Sequence, residues 1–88
     1  MYVWKYPITI TDEFDIELPK DAKILCVQMQ GGVLPCIWVQ TSGVEIYETR
    51  HFSIIGTGNP FLAEGLIYIG TFQQYDGQLV WHLFERVE

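Results

Sequence analysis

The 88-residue sequence predicts an antiparallel all-β domain, a small sandwich or partly open barrel of six or seven short strands. Three observations carry this. Apolar residues recur with period two along most of the chain. Turn residues punctuate it at short, regular intervals. The last third contains a hairpin whose tight turn, Asp76-Gly77, is of the two-residue type I′ kind. A helix has room for at most one turn, near residues 60–64.

The elements follow in order. "YVWKYPITI" places Tyr2, Trp4, Tyr6 and Ile8 on one face, and Pro7 marks it as an edge or bulged strand. "FDIELP" alternates Phe14, Ile16 and Leu18 against Asp15 and Glu17, a half-buried strand closed by the turn "PKDA". In "AKILCVQMQ", Leu25, Val27 and Met29 share one face, opposite Ile24 and Cys26. Gly31-Gly32 turns the chain into "VLPCIWVQT", where Leu34, Cys36 and Trp38 alternate against Pro35, Ile37 and Val39. In "VEIYETRHFSII" the apolar register Val44, Ile46, Phe52, Ile54 also contains Glu48 and Arg50. That strand must bend, or its middle must face something polar. "GLIYIGTFQQ" and "QLVWHLFERV" flank "YDGQ" and pair as Phe72 with Trp81, Gly70 with Leu83, Thr71 with His82, and Tyr68 with Glu85. Both faces of this hairpin carry large apolar groups, so both require cover.

Composition narrows the partners. Residues 1–88 make one domain, 49% hydrophobic and 15% aromatic, rich enough to fold without a disulfide or metal. Eleven acidic residues against five basic ones give a net charge of −6. That disfavours double-stranded nucleic acid and anionic membrane surfaces. A small anion needs only one or two cations and stays compatible. Cys26 and Cys36 lack ligand-spaced partners and read as buried reduced thiols, with an inter-strand disulfide as the alternative. With no leader-like start and no run of transmembrane length, the expectation is a soluble intracellular protein.

One loop invites a functional reading. In "IIGTGNP", Gly56, Thr57 and Gly58 offer backbone N–H groups and positive-φ freedom, Thr57 a hydroxyl and Asn59 an amide. Arg50 and His51 lie just upstream. Together these six residues could clamp a phosphate or carboxylate. The same string is also an ordinary strand-to-helix turn, and it matches neither a Walker loop nor a dinucleotide fingerprint. Trp4 and Trp38 are the candidates for stacking a flat ligand. His82 reads as a hydrogen-bonded structural histidine. No nucleophile–His signature is present, so no enzyme, metal or cofactor is expected.

The stretches "VWKYPI", "IELPKDAKILCVQMQ", "RHFSIIGTGNP", "YIGTFQ" and "LVWHLFE" span nearly the whole chain. By them the chain resembles a family of small phage and prophage proteins carried as a domain of unknown function. The resemblance implies a viral accessory protein made in the cytoplasm of a bacterial host. It implies nothing about chemistry. Where that pattern reads G-T-G-H-P, this chain has Asn59, which keeps a donor and loses the ring. The leading expectation is a homo-oligomeric, anti-defence type protein that sequesters a small anionic, nucleotide-like ligand without catalysis. The alternative is a protein-interaction module that inhibits a host or phage protein through an acidic, aromatic surface. A continuous acidic face would favour the second, scattered acids around an aromatic pocket the first.

Overall fold

A computed structural model describes residues 1–32 and 34–87. Seven strands form: β1 Tyr2–Pro7, β2 Glu13–Pro19, β3 Lys23–Gln30, β4 Leu34–Thr41, β5 Tyr47–Gly56, β6 Leu66–Gln74 and β7 Leu79–Arg86. They make a three-stranded sheet in the order β1-β4-β3 and a four-stranded sheet in the order β2-β5-β7-β6. Every pairing is antiparallel. The sheets stack as a sandwich and do not close into a barrel. No helical turn forms at 60–64; the segment ends in a turn with Leu66 N–H donating to Ala63 O at 3.1 Å. Val33, read as the start of the returning strand, lies outside the described residues.

Period two explains the core. Leu18, Ile37, Val39, Phe52 and Leu83 point between the sheets and are fully buried. Each such side chain contributes about 1.5–3 kcal/mol. Phe14 stacks on Phe52 with ring centroids 5.2 Å apart. Pro7 sits on the edge strand β1, where its missing donor costs no ladder bond.

Two registers differ from simple alternation. A bulge between Ile24 and Cys26 turns Ile24 inward with Val27 and Met29, and leaves Leu25 exposed. A bulge between Tyr68 and Gly70 shifts the far half of the last hairpin, so Tyr68 faces Phe84 rather than Glu85. The near half and the turn match expectation. Phe72 faces Trp81, Thr71 faces His82, and Asp76 and Gly77 hold φ of 54° and 87°. The bulges have a common setting. A Cβ on Gly70 would lie 2.9 Å from Val27 Cγ1. The edges β3 and β6 approach there, and only a residue without a side chain admits the contact.

The polar middle of β5 is resolved too. Arg50 points inward and meets Glu85 of β7 through two hydrogen bonds, one of them Nη2 to Oε1 at 2.9 Å. Its Nη1 donates to Ala22 O at 2.9 Å. The hydrogen bonds to Glu85 hold the guanidinium above its ordinary pKa, against the opposing effect of burial.

Candidate functional site

The outer face of the four-stranded sheet is polar where the inner face is apolar. β2 contributes Glu13, Asp15 and Glu17, and β5 contributes Thr49, His51 and Ser53 directly opposite them. His51 Nδ1 lies 2.7 Å from Asp15 Oδ1, and both side chains are more than half exposed. β7 adds His82, Phe84 and Arg86, with Arg86 donating to Glu13 at 2.8 Å and to Ser53 Oγ at 3.0 Å. The segment from Gly56 to Gly65 crosses this face. Its Phe61 packs on Phe84 at 5.3 Å, and Tyr68 meets the same ring edge-on at 5.6 Å. The loop covers the second face of the last hairpin only in part, since Tyr68 stays 56% exposed.

Gly56 to Asn59 form a β-turn. Asn59 N–H donates to Gly56 O at 3.1 Å, and Gly58 takes a φ of 90°, the position that demands glycine in a type II turn. Thr57 N–H donates to Val80 O at 3.1 Å. The Thr57 N–H, one of the three expected to cradle an anion, is therefore committed to the fold, as is the backbone N–H of Asn59. Among the described residues, the Gly58 N–H and the Asn59 amide make no internal hydrogen bond. The Thr57 hydroxyl lies 2.7 Å from His82 Nε2 and 3.2 Å from Val80 O. His82 Nδ1 lies 2.9 Å from Thr71 Oγ1, which is itself bonded to the Tyr68 phenol.

Of the depressions that border the turn, two bear on the site. One, of about 520 Å3, includes Asp12, Glu13, Glu64, Leu62, Trp81 and Arg86 in its lining. Its charge is unbalanced: three carboxylates against one guanidinium that Glu13 already engages. Its apolar wall is accessible, since Phe61 is 45% and Leu62 89% exposed. The other, of about 300 Å3, lies over the sheet and is lined by Ile55, Thr57, Gly58, Phe61, His82 and Phe84, among others.

The structure brings Gly56, Thr57, Gly58 and Asn59 together and adds His82 and Phe61. It does not bring Arg50, which is bound inside the sandwich against Glu85, nor His51, which sits by Asp15. Trp4 and Trp38 lie on opposite faces of the three-stranded sheet. Trp4 packs against the core and stacks with Tyr2 at 5.7 Å, whereas Lys5 Nζ stands 6.0 Å from the Trp38 ring. One ligand cannot stack on both. Sequence reasoning left out the acids Asp12, Glu13 and Glu64 and the aromatic Phe61. The bonding of His82 to Thr71 was legible from the hairpin register; its link to Thr57 was not, because β5 and β7 are distant in the chain. Both cysteines are free thiols.

Fold and surface together define a small open β-sandwich with a loop-lined, acidic and aromatic groove on its larger sheet. The chain belongs to the family described as a domain of unknown function (DUF7352), whose model matches residues 1–88. No curated protein and no solved structure matches it.

Proposed function

We propose that this chain is a protein-interaction module that grips a cationic segment of another protein in the groove beside residues 59–66. One observation carries the reading: Asp12, Glu13 and Glu64 line one groove, continuous with Asp15 and Glu17 on the same face of β2, beside an apolar wall of Phe61, Leu62 and Trp81 and a single, already paired cation. Carboxylates around exposed aromatic and aliphatic groups suit an amphipathic partner with Lys or Arg beside apolar residues. The resemblance to phage and prophage proteins supports the setting, an accessory protein inhibiting a host or phage target in a bacterial cytoplasm. The free edge of β1, with Tyr2 and Val3 exposed, supports a homo-oligomer.

A small anionic, nucleotide-like ligand is the second reading. It is favoured by the uncommitted Gly58 N–H and Asn59 amide beside the Phe61 ring. Calorimetry separates the two. A synthetic Lys/Leu amphipathic peptide should bind, lose affinity as salt rises, and lose it on Glu64→Lys. Heat from AMP with none from the peptide would transfer the proposal to the second reading.

A further inference from the structure

Beyond any partner in the acidic groove, we propose that Thr57 is an activated hydroxyl that accepts an acyl group, with His82 as its general base. Three independent features carry this. The first is order. Thr57 Oγ1 lies 2.7 Å from His82 Nε2, and His82 Nδ1 lies 2.9 Å from Thr71 Oγ1, which the Tyr68 phenol holds in turn. Nucleophile, base and orienting group stand in line, each within hydrogen-bond reach of the next.

The second is the turn. It leaves Thr57 exposed at the end of β5, beside a Gly58 N–H with no acceptor among the described residues. An N–H one residue from a nucleophile is a donor for the oxyanion of a tetrahedral intermediate. The third is the adjoining depression of about 300 Å3, where Ile55, Phe61 and Phe84 provide an apolar seat for an acyl chain.

The step uses only these groups. It uses the His82 tautomer with its proton on Nδ1, which faces Thr71 Oγ1 at 2.9 Å and leaves Nε2 to accept. Thr57 Oγ forms a bond to the carbonyl carbon of an activated ester, and its proton passes to His82 Nε2. The ester C–O bond breaks, and the leaving oxygen departs with that electron pair. It takes up the proton from His82 to leave as the free alcohol or phenol. The product is an acyl-threonine ester. The Thr57 hydroxyl also lies 3.2 Å from Val80 O, which has a second lone pair to accept it; the reactive arrangement is the one in which the proton turns to the nearer acceptor, His82 Nε2 at 2.7 Å.

The test is to incubate the intact chain with p-nitrophenyl butyrate, follow its mass, and locate the adduct by fragmentation. Thr57 should gain one butyryl group on the order of a hundredfold faster than any other hydroxyl. Thr57→Ser should retain labelling and Thr57→Val should lose it. His82→Gln should slow labelling by about a hundredfold with an unchanged circular dichroism spectrum. Butyryl on lysines only, scattered hydroxyl labelling, or an unchanged rate in His82→Gln would each overturn the proposal.

Discussion

Arg50 and Glu85 each keep less than a fifth of their side-chain surface exposed, 18% and 15%, so water replaces a lost partner only in part. Glu85→Gln takes the partner carboxylate from a guanidinium left with Ala22 O and the more distant charge of Glu48, and should cost about 2–3 kcal/mol, below the value for a fully buried pair. Urea unfolding measures it. Replacing both residues with apolar ones should cost less than the single change, because the buried charge then disappears with its partner. Gly70 is the second residue on which packing turns. Gly70→Ala puts a methyl 2.9 Å from Val27 Cγ1 and should destabilise by about 1–3 kcal/mol, with Val27→Ala restoring part of the loss. The sequence marks Arg50 as an anomaly in an apolar register, which is the visible trace of an inward charge. Glu85 as its partner is invisible in the same string, since the two meet only when β5 and β7 pair.

At the scale of elements, alternation is legible wherever a strand is regular and fails at the bulges. The strands β1, β2 and β7 read directly, and so does the turn at Asp76-Gly77, because side-chain period and turn chemistry are local. The bulges at Leu25 and Ile69 answer a tertiary demand, the approach of β3 to β6, that no local pattern encodes. The loop at 56–59 was legible as a turn; which of its N–H groups stay free depends on Val80, far along the chain.

The connection between β2 and β3 is held by Asp21. Its carboxylate accepts from the Thr41 hydroxyl at 2.6 Å and from the Ser42 hydroxyl at 2.6 Å and N–H at 3.1 Å. The Ser42 hydroxyl, then Thr41, hold its pKa below the ordinary aspartate value. The sign is that of a depressed acid. The contribution is complete above the ordinary value of about 3.9 and is lost as pH falls from there through the lowered folded value. Asp21→Asn should flatten that part of the acid limb in a pH series of thermal melts, leaving the neutral-pH slope unchanged.

On the whole molecule the two sheets differ in how they treat their free edges. β2 carries Glu13, Asp15 and Glu17, charges that discourage further strands. β1 offers Tyr2 and Val3 with only Lys5 as a charge. If copies assemble through β1, sedimentation should show a concentration-dependent species that Val3→Lys removes. Three of the eleven acids frame the groove beside residues 59–66. That groove is where the cationic partner is expected to bind. The most direct test is to record backbone amide spectra of the labelled chain while adding the Lys/Leu amphipathic peptide. Residues 12–13, 59–66 and Trp81 should shift together and saturate at one peptide per groove. Shifts confined to β1 or the Trp38 face, or none with the peptide and a response at Gly58 and Asn59 to AMP, would contradict it.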